Sequence, residues 1–325
     1  MKAGSTRGST LPHSLPGGMR GWRARARALV RLGRPRFLAG GVVLYALGAA
    51  VAVRHGHPLD PVLYLLGQAA VTLFQLMTHY ANDYFDYEAD RANATPTRWS
   101  GGCRVLVGGE LPRGVALGAA LGLATAGMGV IVALAGMART DPLVAPALVV
   151  ALGLAWAYSA PPWRLHSSGL GELAVVLVVT GLVPFFGFAL QAPDLVGLHV
   201  LGLALVPLAC LQFALLLALE FPDAAGDRAV GKRTCVVRLG LERATRLYVG
   251  TVAAAYVSLP ALVAAGLPHE IALAAAGPAP VALWRLTRTY AGDCQRPERW
   301  ESLAFWAVML LAGTAVTELV GMIGF

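Results

Sequence analysis

The chain has 325 residues, of which 57% are hydrophobic and only 14% are charged. Charged residues make up about a quarter of an ordinary soluble domain, so this composition excludes that class. Apolar runs of about 20 residues, the length that crosses about 30 Å of hydrocarbon, recur along the whole chain. Because the alternating pattern of barrel strands is absent from the sequence, the prediction is an all-α, polytopic integral membrane protein.

The N-terminal region is polar and basic. Residues 1–19 are rich in Gly, Ser and Pro and are predicted to form a disordered tail. Residues 20–35 carry several arginines among apolar residues and are predicted to be a basic juxtamembrane segment on the lipid surface. The net charge of +8 is therefore interpreted as attraction to anionic lipid, and no nucleic-acid partner is predicted.

Nine apolar runs follow, and together they predict one membrane domain over residues 36–323. In chain order the predicted spans are 36–54, 60–86, 114–138, 143–160, 169–191, 195–221, 243–266, 269–289 and 301–323. Two polar connections, 88–112 and 222–242, are predicted to form loops that cap this domain.

The positive charges predict how the domain is oriented. With the N-terminus in the cytoplasm, 24 of the 26 lysines and arginines fall on the cytoplasmic side, and only Arg54 and Arg139 fall outside. Cytoplasmic loops retain positive charge, so this asymmetry predicts a cytoplasmic N-terminus.

The second predicted span carries an unusual polar stripe. Its members are spaced by three or four residues and so share one helical face: Gln75, His79, Asn82, Asp86 and Asp90, with Asp83 at the edge. Polar groups on a membrane helix face the protein interior or a water-filled cavity. The deeper members, Gln75 and His79, are candidates to contact a substrate.

The acidic end of this stripe has a second copy. "DYEADR", from Asp86 to Arg91, recurs as "DAAGDR", from Asp223 to Arg228, at the end of the sixth predicted span. Both ends lie on the cytoplasmic side in the predicted topology. Two facing carboxylate clusters repel unless cations lie between them, and Mg²⁺ binds carboxylates together with substrate phosphates. The hypothesis is that the acids bind metal and the metal binds a phosphate.

Basic residues follow both acidic motifs and are candidates to bind a multiply charged anion. They are Arg91, Arg98 and Arg104 after the first motif, and Arg228 and Lys232 after the second.

These paired motifs resemble the signatures of the UbiA superfamily of intramembrane prenyltransferases. The first signature, Asn-Asp-x-x-Asp-x-x-x-Asp, stands here as "NDYFDYEAD", and the second, Asp-x-x-x-Asp, as "DAAGD". The resemblance implies nine helices around a central cavity and two Mg²⁺ ions that bind the diphosphate of an isoprenyl donor. It also implies that the prenyl group is transferred to a hydrophobic aromatic acceptor, with release of pyrophosphate.

The resemblance also implies roles for individual residues. The implied metal ligands are Asn82, Asp86 and Asp90 for one ion and Asp223 and Asp227 for the other, with Asp83 supporting the first set. The implied catalytic residues are Asp86, Asp90, Asp223, Asp227 and Tyr158. Tyr158 lies in "YSAPPWRL", where Arg164 stands at the position of a diphosphate-binding Lys that the family often has.

The branch within the superfamily is predicted from shorter matches. "DRAVGKRTCVVRLG" and "GLGEL" are most similar to the 1,4-dihydroxy-2-naphthoate prenyltransferases of menaquinone synthesis. The chain departs from that branch before the second motif, where Glu220 replaces an Asn and Pro222 replaces an Arg. Glu220 adds a carboxylate that is a candidate substrate contact, and Pro222 is expected to kink the sixth span.

Two other functions remain open at this point. A membrane terpene cyclase uses the same metal sites, and its prenyl chain captures the carbocation internally. A cation-coupled transporter also carries intramembrane acids, but such sites usually lie near the bilayer midplane, whereas both motifs here end at the cytoplasmic side.

Overall fold

The computed structural model describes residues 17–137, 142 and 144–324, with side chains from residue 21 onward. The described residues form helices and loops without a strand. The helices are α1 Gly17–Leu32, α2 Pro35–Arg54, α3 Pro61–Phe85, α4 Tyr87–Ala92, α5 Arg113–Ala135, α6 Val144–Ser159, α7 Leu165–Ser168, α8 Gly171–Val175, α9 Val183–Ala189, α10 Leu198–Ala229, α11 Cys235–Val257, α12 Leu259–Ala264, α13 His269–Ala276, α14 Ala279–Tyr290 and α15 Trp300–Gly324. A π-helical segment, Val176–Leu182, joins α8 to α9.

Six helices of the described chain are long and apolar enough to cross a membrane. They are Pro35–Arg54, Pro61–Phe85, Arg113–Ala135, Gly171–Ala189, Leu198–Ala229 and Pro297–Gly324. A seventh apolar helix, α6, has 16 residues and is shorter. The all-helical class is therefore confirmed, while the count of nine spans and the cytoplasmic N-terminus stay predictions. Residues 1–16 of the predicted tail and Arg139 lie outside the described residues.

The start of α3 follows from its first residues. The Asp60 carboxylate accepts hydrogen bonds from the backbone N–H groups of Val62, at 2.9 Å, and Leu63, at 3.2 Å. Pro61 occupies the first helical position, where a backbone N–H would make no intrahelical hydrogen bond, so proline costs nothing there. These two residues fix where the acid-bearing helix enters the bundle.

The sixth predicted span is longer than expected. Helix α10 continues through Pro222 to Ala229, so the predicted kink does not end the helix. Proline has no backbone N–H and so removes one hydrogen bond from the helix. Separately, the Pro222 carbonyl accepts a hydrogen bond from Thr95 Oγ1 at 2.8 Å. Most of the predicted 222–242 loop is helical, because α10 runs to Ala229 and α11 begins at Cys235. The exceptions are residues 230–234 and Gly240, whose φ of 75° kinks α11. Asp223 and Asp227 consequently lie one turn apart on a helix.

Helices α2 and α9 approach closely through two glycines. A Cβ added to Gly48 would lie 1.8 Å from the Pro184 carbonyl oxygen, and one added to Gly187 would lie 2.0 Å from the Tyr45 carbonyl oxygen. Small residues at a helix crossing allow the backbones to meet in a membrane, where packing replaces the hydrophobic effect as the main attraction. This α2–α9 seam is one wall of the cavity described below.

Candidate active site

Two connected cavities lie where the ends of α3, α6 and α10 meet. A polar cavity of about 120 Å³ is lined mainly by acidic and amide side chains. An apolar cavity of about 670 Å³ extends from it between α2, α3, α6, the π-helical segment, α10 and α15. Arg34, Asn82, Trp99 and Tyr158 line both cavities and mark their junction.

The two acidic motifs meet at the polar cavity. Asn93, just after α4, donates a hydrogen bond from Nδ2 to Asp223 Oδ1 at 2.7 Å. The Gly101 backbone N–H donates to the other oxygen of Asp223 at 3.0 Å. Gly226 permits this approach, because a Cβ there would lie 3.0 Å from Asn93 Cα. The ends of the second and sixth predicted spans therefore share one pocket, as the repeat predicted.

Lys232 bridges the motifs directly. Its Nζ lies 3.0 Å from Asp86 Oδ2 and 3.3 Å from Asp227 Oδ1. Burial alone would lower the pKa of Lys232, but the charges of Asp86 and Asp227 outweigh burial and raise it. Lys232 is therefore a permanent cation between two acids, a position from which it can also meet the oxygens of a diphosphate.

Asp86 is the most heavily hydrogen-bonded acid of the site. Asn82 Nδ2 donates to Asp86 Oδ2 at 2.9 Å, and His166 Nε2 contacts Asp86 Oδ1. Burial raises the pKa of Asp86, but the positive charge of Lys232 and the hydrogen bond from His166 outweigh burial and hold it well below its ordinary value. Asp86 is consequently an ionised carboxylate inside the pocket. The His166 ring also lies 5.5 Å from the Tyr158 ring.

Asp90 is packed against a glycine-rich turn. Gly102 has a φ of 70°, and a Cβ built on it would lie 2.0 Å from Asp90 Oδ2. Burial raises the pKa of Asp90 to about 8, and the nearby charges of Asp86 and Asp83 add to that effect. Asp90 therefore retains a proton at neutral pH until a cation displaces it.

A carboxyl pair supports the loop that carries Lys232. Glu172 Oε1 accepts from the Cys235 backbone N–H at 2.6 Å, and Glu220 Oε2 accepts from the Val236 backbone N–H at 3.1 Å. The pair holds the first turn of α11 and so fixes the position of residues 230–234.

Asp83 faces away from both cavities. Its Oδ1 is paired with Arg34 Nη2, and its Oδ2 accepts from the Cys103 backbone N–H at 3.3 Å. The Asp83 side chain is 3% exposed. Asp83 thus has structural partners, and its support of the first set of metal ligands stays a prediction.

The remaining acids and amide form a donor set that suits a hard divalent cation. Asn82, Asp86, Asp90, Asp223 and Asp227 all line the polar cavity. Among the described residues, no three His, Cys, Asp or Glu side chains converge on one metal position, and Lys232 lies between two of the acids. These oxygen ligands are of the kind that Mg²⁺ prefers. A bound cation would neutralise part of the negative charge that Lys232 otherwise neutralises.

The sequence model of the UbiA prenyltransferase family matches residues 42–314, most of the chain. This chain belongs to the UbiA prenyltransferase family. The membrane-embedded prenyltransferase character predicted from the paired motifs is thereby confirmed.

Other UbiA proteins resemble the chain in sequence and in fold. Digeranylgeranylglyceryl phosphate synthase of Halobacterium salinarum is 33% identical over 220 residues, which are 67% of this chain and 71% of the relative. The apo structure of a UbiA homologue from Aeropyrum pernix K1 superposes with a TM-score of 0.64 at 20% identity, covering 86% of this chain and 98% of the other. A UbiA homologue from Archaeoglobus fulgidus, bound to GPP and Mg²⁺, superposes with a TM-score of 0.57 at 15% identity, covering 92% of this chain and all of the other.

Several residues predicted for the UbiA site do line the cavities. The polar cavity is lined by Asn82, Asp86, Asp90, Tyr158, Glu220, Asp223, Asp227 and Lys232. The apolar cavity is lined by Gln75 and His79, together with Asn82 and Tyr158 at the junction. The stripe on the second predicted span thus faces the interior, as its spacing indicated.

Most of the predicted arginines do not reach the site. Arg91, Arg98, Arg164 and Arg228 are exposed and line neither cavity. Arg91 pairs with Glu88 at 2.9 Å, and the Arg98 backbone N–H donates to Glu301 at 2.9 Å. Arg104 acts indirectly, because its guanidinium donates to the Asp90 carbonyl. Long cationic side chains at helix ends extend to water or headgroups, which accounts for the exposure of these four arginines. Their substrate role stays a prediction.

Other residues of this UbiA site were missed by sequence reasoning. They are Arg34, Asn93, Trp99, Ser159, His166 and Glu172. None lies in the acidic motifs, and the tertiary fold brings each of them to the pocket. His166 carried the clearest local signal, since it directly follows the "YSAPPWRL" motif and lies in a short turn of helix.

Proposed function

We propose that this UbiA-family enzyme transfers an isoprenyl group from a prenyl diphosphate to an aromatic acceptor and releases pyrophosphate. The single observation that carries the proposal is the connection between a small polar cavity, rich in acids and containing Lys232, and a much larger apolar cavity. A prenyl diphosphate has the same two parts, a charged head and a hydrocarbon tail.

The proposed cofactor is a pair of Mg²⁺ ions. Asn82, Asp86 and Asp90 would hold one ion, and Asp223 and Asp227 the other. The donor chemistry supports this assignment, and the Archaeoglobus fulgidus homologue binds Mg²⁺ together with GPP. When bound, the ions supply positive charge that stabilises the departing diphosphate.

The protein's own residues account for the other requirements. Lys232 adds a charge-assisted donor at the diphosphate head, and His166 orients the Asp86 carboxylate. The walls of the apolar cavity exclude water from the electron-poor allylic carbon. The Tyr158 ring lies at the junction, where an aromatic face can stabilise positive charge.

The acceptor is proposed to be aromatic, of the type used by the naphthoate branch. Support comes from the ring-lined junction, where the Phe37 centroid lies 6.2 Å from His79 and 6.0 Å from Trp99. A glyceryl phosphate is the second candidate acceptor, because the Halobacterium salinarum relative is a digeranylgeranylglyceryl phosphate synthase. The exposed Arg36 guanidinium, 5.0 Å above the Trp99 ring, is a group that could bind its phosphate.

The site is proposed to face the cytoplasm. The asymmetric distribution of lysine and arginine supports this orientation. Both substrates would reach the pocket from the bilayer, the lipid phase in which hydrophobic acceptors and prenyl donors dissolve.

The test is Mg²⁺-dependent pyrophosphate release by the purified full chain in detergent or vesicles. We expect Asp86→Ala and Asp223→Ala to abolish release, and Asp227→Asn to weaken Mg²⁺-dependent binding of a diphosphate analogue. Glu88→Ala is the matched control, since Glu88 lies inside the first motif but is exposed. Retained turnover in both alanine variants would overturn the mechanism.

Acceptor identity is read from the products. Wild-type protein is incubated with prenyl diphosphates and either hydroxynaphthoates or glyceryl phosphates, and products are identified by mass spectrometry. A prenylated aromatic product supports the proposal. A prenylated glyceryl ether indicates that the acceptor is the second candidate, a glyceryl phosphate. A cyclic hydrocarbon formed without acceptor indicates a terpene cyclase.

A further inference from the structure

His79 lies on α3 one helical turn before Asn82 and lines the apolar cavity beside the junction. The neighbouring acids are arranged toward the polar cavity, whereas the imidazole is part of the apolar wall. Its ring is partly exposed to this space. A polar, titratable side chain at this position has access to whatever molecule approaches the allylic carbon from the apolar side.

One nitrogen of the imidazole is already committed. His79 Nδ1 lies 2.8 Å from the Gly33 carbonyl oxygen. A carbonyl oxygen only accepts hydrogen bonds, so Nδ1 carries the hydrogen. In the neutral ring the other nitrogen, Nε2, then has a free lone pair and acts as an acceptor. The backbone of Gly33 thereby fixes the tautomer in which Nε2 is basic.

Phe37, His79 and Trp99 form a cluster of contacting rings in the wall of the apolar cavity, and the space beside this cluster is called the slot. Phe37 packs edge-on against His79, at an interplanar angle of 68°, and edge-on against Trp99, at 80°. Arg34 and Asp83, whose charges act on the imidazole, are paired with each other, and Arg36 lies 5.0 Å over the Trp99 ring. The slot therefore offers aromatic contacts and an imidazole nitrogen that accepts a hydrogen bond.

We propose that this slot binds an aromatic acceptor through its hydroxyl group, and that His79 Nε2 takes the hydroxyl proton during transfer. This inference rests on the proposed function and assigns the acceptor subsite and its general base. Removing the hydroxyl proton makes the aromatic ring more nucleophilic at the moment when the allylic carbon becomes electron-poor.

The allylic carbon–oxygen bond of the donor breaks, and its electron pair leaves with the diphosphate. A ring carbon of the acceptor forms the new carbon–carbon bond while the hydroxyl proton moves to Nε2, which gives a ring ketone and an imidazolium. The hydrogen on the alkylated ring carbon then leaves as a proton to the released pyrophosphate, and the oxygen recovers a proton from Nε2.

The experiment compares wild type with His79→Gln in the full chain, using a prenyl diphosphate, Mg²⁺ and a series of naphthols and phenols of decreasing hydroxyl pKa. General-base catalysis contributes about 100- to 10,000-fold, so we expect His79→Gln to lower transfer to weakly acidic acceptors by at least about 100-fold. The loss should shrink steadily as the acceptors become acidic enough to ionise unaided. If His79 has only a structural role, His79→Gln should lower prenyl transfer to all acceptors by the same factor.

Two controls make the outcomes separable. His199→Gln makes the same change at an exposed histidine that contacts the Ala265 carbonyl, outside both cavities, and should leave transfer unchanged. Binding of a fluorescent diphosphate analogue reports whether His79→Gln still folds and binds donor. Normal transfer by His79→Gln, or an equal loss for every acceptor, would overturn the inference. An inactive wild type with every aromatic acceptor would instead overturn the proposed function.

Discussion

The Lys232 amino group lies 3.0 Å from the Asp86 carboxylate, although 146 positions separate the two residues in the chain. This contact joins the loop after the second acidic motif to the middle of the first. It also places a cation where two acids would otherwise repel each other. The pocket is therefore held together by the same charges that are proposed to bind substrate.

Replacing Lys232 should weaken donor binding. A hydrogen bond to a charged group contributes about 1.5–3 kcal/mol, so Lys232→Met is expected to lower diphosphate affinity by roughly 10- to 100-fold. Titration with a fluorescent diphosphate analogue in the presence of Mg²⁺ measures the change. The neighbouring Arg233→Met removes an exposed cation and should have little effect. Equal losses in the two variants would mean that only the overall charge matters.

A methyl group at Gly102 should disturb Asp90. The Cβ would lie 2.0 Å from Asp90 Oδ2, so Gly102→Ala must displace the carboxylate. We expect a loss of Mg²⁺ affinity and of pyrophosphate release. Gly109→Ala is a close control, because Gly109 has the same φ of 70° but no atom within 4 Å of the added Cβ. Both variants share the backbone strain, and only Gly102→Ala should lose metal affinity.

Changing Asp83 should affect stability more than metal binding. Asp83→Asn leaves the buried Arg34 guanidinium without its counter-charge, which typically costs about 3–5 kcal/mol. Thermal unfolding in detergent should show a lower melting temperature, while Mg²⁺ affinity falls less than in Asp86→Asn. The double variant Arg34→Met/Asp83→Met removes both charges and should recover part of the stability. Loss of metal affinity as large as that in Asp86→Asn would make Asp83 a ligand.

Magnesium binding should strengthen as the pH rises toward about 8. The pKa of Asp90 is raised to about 8 by burial and by neighbouring carboxylates, so below that pH the metal-free carboxyl holds a proton. Mg²⁺ requires the ionised carboxylate and must release this proton, so the apparent affinity increases with pH and levels off above about 8. Calorimetry in buffers of different ionisation enthalpy counts the protons released. Mg²⁺ binding to Asp90→Asn should release fewer protons than binding to the wild type. An unchanged number of protons would contradict the assignment of Asp90 as the protonated group.

The periodic part of the site was predictable from sequence. Gln75, His79 and Asn82 share a helical face, and a polar face in a membrane helix must face the interior. The second acidic motif was recognisable because it repeats the first. The convergence of the two motifs followed from their common side in the predicted topology.

The cationic part of the site was not predictable in the same way. The local sequence around an arginine at a helix end does not show whether the side chain faces solvent or an acid. Arg228 is exposed, whereas Arg34 pairs with Asp83. His166 and Glu172 reach the pocket only because the turns after α6 fold back against α10 and α11. The continuation of α10 through Pro222 also escaped prediction, because proline weakens a helix locally while buried residues on both sides of it pack in the bundle.

The glycine contacts between α2 and α9 have a consequence for substrate range. A carbonyl oxygen of α9 lies where a side chain at Gly48 of α2 would begin, and a carbonyl oxygen of α2 lies in the same way against Gly187 of α9. These two helices therefore cannot slide or separate without losing their packing. A bulkier hydrocarbon must therefore gain its room elsewhere in the wall, and α10 and α15 line the same space. Redesign of tail preference should begin at Leu215 and Leu311 and leave Gly48 and Gly187 untouched.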